Sequence, residues 1–212
     1  MKKILLVGGG GHCKVVLSIL KKLNSFEIVA ISDLEEKINN KISGVKIKYS
    51  DSQLDTAKND GIKCAFITLG SVGNPVMRVE KFELIKKIGF EIPIIVSPDA
   101  IVSEGVSIGE GTVIMPGVII NTGVSIGKNC IVNTGAIIDH DCVVGDHVHI
   151  APGVTMSGAV KIGDRTHIGT GTNIIQNISV GENCIVGAGS LVIRDVGKNA
   201  KVVGVPAKKI ER

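Results

Sequence analysis

Residues 108–143 read, in blocks of six, IGEGTV IMPGVI INTGVS IGKNCI VNTGAI IDHDCV. The first residue of each block is aliphatic, and the phase continues from Val102 to Val192, where every sixth residue is Val, Ile or Met. A repeat of six matches neither a helix, with about 3.6 residues per turn, nor an ordinary strand, with a period of about two. The stretch therefore predicts a solenoid of short strands and turns.

A second period of eighteen residues is superimposed on the first. An aliphatic residue, a glycine and a charged residue recur together at 108–110, 126–128, 144–146, 162–164 and 180–182. Three blocks of six therefore form one three-sided coil, and residues eighteen apart become neighbours at the strand-pairing distance of about 4.8 Å. Each glycine of this pattern is expected at a corner that needs a positive φ or a tight backbone approach.

The length and composition limit the number of domains and the kinds of ligand. The 212 residues are 44% hydrophobic, which suffices for one large or two small domains, and the residues before the solenoid need a core of their own. Aromatic residues make up 2% and Trp is absent, so a stacking platform for single-stranded nucleic acid is lacking. The net charge is +4, and the sequence contains no run of basic residues. Nucleic-acid binding is disfavoured, whereas phosphate-bearing ligands are permitted.

The amino-terminal part opens with a predicted strand at Lys3–Val7, a loop at Gly8–Gly11 and a helix at residues 14–23. Backbone N–H groups of such a loop, with the positive end of a helix behind them, can hold a phosphate. Asp33 follows the next strand, where a ribose or base would be met. Because Cys13 replaces the third glycine of the dinucleotide fingerprint, a mononucleotide or nucleotide sugar is favoured over NAD or FAD. A purely structural glycine turn stays open as the alternative.

Further strands are predicted at 45–49 and 64–69, and further helices at 52–59 and 76–88. They complete a Rossmann-like α/β domain whose strands are parallel and whose carboxyl-end loops line one crevice. We place this domain at residues 1–96 and the solenoid domain at 97–212. The joint between them is short and apolar, which predicts that the two domains pack together.

The apolar run that begins the chain stops at Val7, too early for a secretory signal, and no segment approaches the roughly 20 apolar residues of a membrane span. We therefore expect a cytoplasmic protein without a membrane span. Three cysteines, Cys130, Cys142 and Cys184, fall in the column of small residues that points inward. Packing is their expected role, and neither a disulfide nor a zinc spacing is indicated.

His140 carries the sharpest chemical signal of the solenoid. It lies two positions after the inward Ile138, at a turn, so it must point outward between Asp139 and Asp141. A neighbouring carboxylate can orient an imidazole and stabilise the imidazolium that it becomes, which suits a general base. The alternative is an exposed histidine without a function.

His149 and His167 are one coil apart and stack on one outward face. Two stacked histidines suggest a metal site, and a zinc hydrolase of this solenoid class would need a third ligand, expected from another subunit. The interpretation we favour is a surface or subunit-facing pair without a metal.

The motifs together resemble a known family. These are the run from Asn133 to Cys142, the segment 148–153, the glycine loop with His12, and the closing segments 187–190 and 204–208. They are similar to the hexapeptide-repeat sugar acetyltransferases of the PglD/NeuD family, which comprises UDP-4-amino-sugar N-acetyltransferases and sialic acid O-acetyltransferases. The likeness covers nearly the whole chain. It implies an α/β nucleotide-sugar-binding domain followed by a left-handed parallel β-helix, and the hand comes from the resemblance alone.

The resemblance also implies roles for individual residues. His140 corresponds to the general base, supported by Asp141, which is one methylene shorter than the family's glutamate; Asp139 is the alternative support. The residues that correspond to acetyl-CoA contacts are His149, Gly158, Gly187, Ala188, Gly189, Pro206 and Lys208. The residues that correspond to contacts with the acceptor are Gly10, Gly11, His12, Asp33 and Asn133. No metal is implied.

The implied reaction is acetyl-CoA-dependent acetylation of the 4-amino group of a UDP-linked 4-amino-4,6-dideoxy sugar, for surface glycan or glycoprotein synthesis. The implied mechanism is direct transfer, without an acyl-enzyme, in a homotrimer whose sites lie between subunits. O-acetylation of sialic acid is the second candidate. A trimeric zinc hydrolase and a scaffold without catalytic activity are more remote alternatives.

Overall fold

The computed structural model describes residues 1–210, so the last two residues of the domain predicted at 97–212 lie outside the described part. The amino-terminal elements, in chain order, are β1 Lys2–Val7, α1 Gly11–Leu23, β2 Phe26–Asp33, β3 Lys41–Ile42, β4 Val45–Ser50, α2 Leu54–Asn59, β5 Cys64–Ile67 and α3 Val76–Ile88, with short 3-10 helices at Glu35–Lys37 and Asp51–Gln53. They form one sheet of order β3-β4-β2-β1-β5, in which only the β3–β4 pair is antiparallel.

The sheet is buried on both faces, as the continuous apolar sequence of β1 predicts. Ile4 and Leu6 belong to the same apolar cluster as the inner face of α1, whereas Leu5 and Val7 share a second cluster with residues of α2 and α3. The carboxyl ends of β1, β2 and β5 therefore meet at one edge. This edge carries the glycine loop and Asp33.

Two details differ from the sequence-based expectation. The helix predicted from residue 14 begins at Gly11, because the chain needs only three residues to turn after Val7, with Gly10 as the N-cap. The edge strand β3 was not predicted. It is joined to β4 by Ser43 and Gly44, both at positive φ, which is the geometry of a tight two-residue hairpin.

The solenoid consists of two-residue strands that form three parallel faces. The first face contains Ile95–Val96, Val113–Ile114, Ile131–Val132, His149–Ile150, His167–Ile168 and Ile185–Val186, followed by the closing hairpin Lys201–Val203 and Lys208–Lys209. The second face contains Ile101–Val102, Ile119–Ile120, Ile137–Ile138, Thr155–Met156, Asn173–Ile174 and Leu191–Val192. The third face contains Ser107–Ile108, Ser125–Ile126, Val143–Val144, Lys161–Ile162 and Ser179–Val180.

Each strand pairs in parallel with the strand eighteen residues away, as His149 does with Ile131 and His167, which confirms the coil length predicted from the sequence. Positive φ recurs every six residues from Gly105 to Gly189, at both glycine and other residues. The glycines that precede charged residues are needed for the tight backbone approach between coils and not for a positive φ. A Cβ on Gly109, for example, would lie 2.6 Å from the carbonyl carbon of Gly127. Cys130, Cys142 and Cys184 are buried in the prism, which confirms their packing role.

The two parts of the chain share one apolar core, as the short joint predicted. Val16 and Leu20 of α1 belong to the same cluster as Ile95 and Val113 of the first face. On the other side, Phe82 of α3 packs edge-on against the ring of His147, with 5.7 Å between ring centroids. Within residues 1–210, the helices are too short or too polar for any of them to cross a membrane.

Candidate active site

His140 lies at the corner between the second and third faces, and two carboxylates beside it have different partners. Asp141 Oδ2 is 2.8 Å from His140 Nδ1. Asp139 Oδ1 instead accepts the His140 backbone N–H at 2.8 Å and the side-chain amide of Asn121 at 2.7 Å. Asp141 therefore orients the ring, while Asp139 fixes the backbone of the corner.

This pairing determines which nitrogen of His140 is available. A carboxylate at Nδ1 favours the form with the proton on Nδ1, so Nε2 is the nitrogen with a free lone pair. The hydrogen bond that His140 Nδ1 donates to Asp141, followed by the charge of Asp139, raises the pKa of His140 above its ordinary value. The side chain is 56% exposed, so a substrate can reach it. The arrangement is that of an oriented, accessible base.

Two glycines make room for this pair. A Cβ on Gly158, one coil further along, would lie 2.6 Å from both Cε1 and Nε2 of His140. A Cβ on Gly123, one coil earlier, would meet the carboxylate of Asp141. Asp141 itself occupies the positive-φ position of its hexad, at φ 59°, a conformation that Asp tolerates better than most residues. The N–H of Gly158 has no acceptor within the described chain.

A second group of histidines lies on the first face, beneath the amino-terminal domain. His149 is only 5% exposed, and its Nε2 is 3.2 Å from the side-chain nitrogen of Asn133. The ring of His167 packs edge-on against it, with 4.9 Å between centroids. His12, at the start of α1, lies close enough for the charge of His149 to affect its pKa. The pair predicted to face a surface or another subunit is thus partly covered by the chain itself, with the backbone of Ser71 hydrogen-bonded to His149.

Arg78 of α3 is a component of the site that the sequence analysis missed. Its guanidinium is 2% exposed and donates to the carbonyls of Ile67 at 2.9 Å and Leu69 at 2.7 Å, and to those of Asn129 and Gly111 in the solenoid at 3.3 and 3.4 Å. In residues 1–210 no carboxylate pairs with it. A buried positive charge therefore holds the end of β5 against the solenoid.

Burial and this charge keep the covered histidines neutral. Burial, followed by the charges of Arg78 and His149, lowers the pKa of His12 to about 3. Burial and the neighbouring His167 lower the pKa of His149 to about 4, against a hydrogen bond to the backbone of Ser71 that raises it, and Arg78 adds slightly to the lowering. These rings act as neutral hydrogen-bonding groups at physiological pH, unlike His140.

The carboxyl edge of the sheet contains a cavity of about 200 Å³ lined by Gly8, Asp33, Lys37, Asp51, Leu69 and Met77, among others. The carboxylate of Asp33 accepts the N–H of Gly9 at 2.8 Å and that of Leu34 at 2.7 Å, and pairs with Lys37 at 3.0 Å. Burial raises the pKa of Asp33, the hydrogen bonds lower it, and the balance lies below the ordinary value. Gly10 and Gly11 are exposed at the amino end of α1, with no atom near where a Cβ would stand.

The carboxyl edge of the sheet offers hydrogen-bond donors at one place and an acceptor at another. The ionised Asp33 would repel a phosphate from the N–H of Gly9, so the backbone N–H groups that remain open to an anion are those of Gly10, Gly11 and the first turn of α1. Asp33 retains acceptor capacity suited to a ribose hydroxyl or a base N–H.

The segments predicted to contact CoA come together at the end of the solenoid. Gly187 donates its N–H to the carbonyl of Val202 at 2.8 Å, and Ala207 donates to that of Leu191 at 2.7 Å. The predicted contacts Gly187, Ala188, Gly189, Pro206 and Lys208 therefore lie on one corner and its closing hairpin. Ala188, Gly189, Pro206 and Lys208 are exposed.

One chain does not bring all the predicted residues together. Asn133 and His149 belong to the first face, whereas His140 and Gly158 lie at the corner where the second and third faces meet. In a three-sided prism this corner is opposite the first face. Among residues 1–210, no group of three or more His, Cys, Asp or Glu side chains is arranged to hold a metal ion, and the His149–His167 pair lacks a third ligand.

Two family models match separate stretches of the chain. Residues 3–85 match the model of the PglD N-terminal domain. Residues 105–139, 123–158 and 159–194 match the model of the bacterial transferase hexapeptide, which contains six repeats. A curated relative, UDP-N-acetylbacillosamine N-acetyltransferase of Bacillus subtilis, is 36% identical over 115 residues, an alignment that spans 54% of this chain and about half, 52%, of that protein.

Solved structures extend the likeness to the whole chain. PerB of Caulobacter crescentus, in complex with CoA and GDP-perosamine, is 33% identical, with a TM-score of 0.92 over 100% of this chain and 98% of that one. The acetyltransferase domain of PglB from Neisseria gonorrhoeae, in complex with acetyl coenzyme A, is 31% identical, with a TM-score of 0.90 over 99% of both chains. The solenoid is accordingly a left-handed parallel β-helix, and the chain belongs to the PglD family of hexapeptide-repeat, acetyl-CoA-dependent sugar acetyltransferases.

Proposed function

We propose that this protein N-acetylates the 4-amino group of a nucleotide-linked 4-amino-4,6-dideoxy sugar, with UDP as the favoured nucleotide and surface glycan or glycoprotein synthesis as the purpose. The observation that carries the proposal is the corner at which Asp141 orients His140 beside Gly158. The relatives support the substrate class, since their names and bound ligands comprise CoA and nucleotide amino sugars.

The proposed mechanism is direct transfer. The acceptor nitrogen attacks the thioester carbonyl carbon while His140 Nε2 takes its proton, and the C–S bond then breaks as CoA leaves. Asp141 stabilises the imidazolium that forms. The free N–H of Gly158 is available for the oxygen on which negative charge develops. Cys142 takes no part, because its thiol is buried and burial raises its pKa.

The proposed active unit is a homotrimer. His140 and the first-face residues Asn133 and His149 lie on opposite sides of one prism. Each site is completed when the His140 corner of one subunit meets the first face and closing hairpin of the next. Three such contacts close a ring, as a heterologous interface requires.

The nucleotide is assigned to the cavity at the carboxyl edge of the sheet. Its phosphates would occupy the amino end of α1 at Gly10 and Gly11, with the ribose or base near Asp33. Arg78 holds this edge against the solenoid through Leu69 and Asn129. The amino sugar would then extend from the sheet toward the first face, where Asn133 and His149 lie.

The direct test follows release of CoA thiol from acetyl-CoA with a thiol reagent, with UDP-linked and GDP-linked 4-amino-4,6-dideoxy sugars and free or CMP-linked sialic acid as parallel acceptors. Release with the UDP-amino sugar, and an N-acetyl product by mass spectrometry, is the expected result. Preference for the GDP sugar would retain the chemistry and correct the nucleotide. Release with sialic acid alone would replace the proposal by O-acetylation, and no release with any acceptor would contradict the enzyme assignment.

A further inference from the structure

The corner that carries His140 contains a carboxylate on each side of the histidine, and only one of them pairs with the ring. Asp141 Oδ2 lies 2.8 Å from His140 Nδ1. Asp139 precedes the histidine and is close enough for its charge to affect the ring, yet its Oδ1 accepts the backbone N–H of His140 at 2.8 Å. Which carboxylate orients the imidazole therefore depends on what holds Asp139 in this position.

The side chain that holds Asp139 belongs to the preceding coil. Asn121 Nδ2 lies 2.7 Å from Asp139 Oδ1. An ionised carboxylate can only accept, so the atom that meets it is the nitrogen of the carboxamide. One oxygen of Asp139 thus receives two hydrogen bonds, from Asn121 and from the His140 backbone. Residues eighteen apart are neighbours, and the column at this corner reads Ser103, Asn121, Asp139, Ser157, Ile175 and Ile193.

The contact also affects the charge beside the base. The hydrogen bond from Asn121, followed by that from the His140 backbone, lowers the pKa of Asp139, so this carboxylate is ionised at neutral pH. Its charge is the second cause, after the hydrogen bond to Asp141, of the raised pKa of His140. These two carboxylates are the charged groups of residues 1–210 that act on the ring, because the residues one coil before and one coil after His140 are uncharged.

We propose that Asn121 is a positioning residue for the base, which holds Asp139 against the backbone N–H of His140 and so leaves Nδ1 of the ring to Asp141. The inference rests on the proposed acetyl transfer and deepens it. Asn121 acts through Asp139 and takes no part in the proton transfer. Without its amide, Asp139 keeps one of its two hydrogen bonds, and its carboxylate spends part of its time in solvent, farther from the ring.

The test is a double-mutant cycle of Asn121→Ala and Asp139→Ala, in which NMR titration without substrates gives the pKa of His140. In Asn121→Ala this pKa should fall toward its ordinary value, because a negative charge is less often beside the imidazole. In Asp139→Ala it should fall further, because the charge is removed. The double variant should have the pKa of Asp139→Ala, since Asn121 then has nothing to hold.

The kinetic expectation for Asn121→Ala is a loss of about tenfold in kcat, since misplacement of a reacting group by about 1 Å can cost up to 10²-fold. The rising limb of its kcat/KM profile should move to lower pH together with the pKa measured by NMR. The double variant should lose no more than Asp139→Ala alone. Ser103→Ala is the matched control, because Ser103 takes the same position two coils before Asp139. It should leave kcat and the pKa of His140 unchanged.

Two results would overturn the inference: a pKa of His140 that does not fall in folded Asn121→Ala, or an equal loss of kcat from Asn121→Ala whether residue 139 is Asp or Ala. A purely structural role would lower the unfolding temperature and give the first of these results. Size-exclusion chromatography and thermal unfolding establish that each variant is assembled and folded. The NMR titration needs no substrate, so it tests the contact even if acetyl transfer were disproved, whereas failure of the proposed function would appear as wild-type protein that releases no thiol.

Discussion

His140 and His149 are nine residues apart in the chain, and their environments are opposite. His140 is 56% exposed beside the carboxylate of Asp141, and its pKa is raised. His149 is 5% exposed, with the backbone of Ser71 beside it, and its pKa is lowered to about 4. The repeat explains this difference, because one histidine falls on a corner and the other within a strand of the covered face. The first can exchange a proton at neutral pH, and the second can only offer a hydrogen bond.

The largest effect is expected from removal of the exposed histidine. His140→Ala should lower kcat/KM by about 10²-fold or more, because the loss of a general base typically costs 10²–10⁴. The unfolding transition should change little, since the side chain is mostly in solvent. The control is His147→Ala, at the positive-φ position of the next hexad, where an effect on unfolding is expected without a comparable loss of rate. Retained turnover in His140→Ala would remove His140 from the mechanism.

Gly158→Ala should disturb the same base without removing it. The backbone of Gly158 is not at positive φ, so the new methyl is not excluded by conformation, but it would stand 2.6 Å from the imidazole. The ring must turn away from Asp141, and we expect a loss of about tenfold or more in kcat, since misplacement of a reacting group by about 1 Å can cost up to 10²-fold. Gly197→Ala, where a Cβ meets no atom within 4 Å, is the matched control. Equal values of kcat in Gly158→Ala and Gly197→Ala would contradict the prediction that the new methyl displaces the His140 ring.

The pH profile separates the two histidines directly. His140 must be neutral to accept a proton, so kcat/KM should rise with pH through its raised pKa. In Asp141→Asn the strongest cause of the raised pKa is lost, and the rising limb should move to lower pH with a reduced plateau. His149, with a pKa of about 4, should add no limb near neutral pH. An unmoved limb in Asp141→Asn would show that the acceptor amine, or another group, sets the profile.

The six-residue repeat predicted the environment of His149 only in part. A period of six identifies the inward residues and the corners, so the exposure of His140 and the burial of Cys142 follow from counting. What covers the outward side chains of the first face depends on how two domains dock, and no period in the sequence reports this. Arg78 contacts Asn129 over a separation of 51 residues. The available signal was a charged residue within the buried helical stripe Arg78, Phe82 and Ile85.

The buried Arg78 can be tested through the stability of the protein and through the pKa values of the covered histidines. Arg78→Met keeps much of the side-chain volume and removes the charge, but it leaves the carbonyls of Leu69 and Asn129 without their guanidinium donor. We expect the free energy of unfolding to fall by about 1–3 kcal/mol, from unsatisfied buried acceptors. The pKa values of His12 and His149 should rise, since Arg78 contributes to lowering both, yet burial is the larger cause and should keep the rings neutral at pH 7.

Arg78→Lys provides the comparison that decides between charge and shape. It retains the positive charge and loses the planar set of donors that reaches carbonyls of both domains. Because the charge contributes to lowering the pKa values of His12 and His149, Arg78→Lys should keep them lower than Arg78→Met does, as measured by NMR titration. Its KM for the nucleotide sugar should rise while its KM for acetyl-CoA stays the same. A KM for acetyl-CoA that rose equally would mean that Arg78 supports the whole fold. If instead the pKa of His149 rose as far in Arg78→Lys as in Arg78→Met, the charge of residue 78 would have no part in it, and the difference from His140 would rest on exposure to solvent.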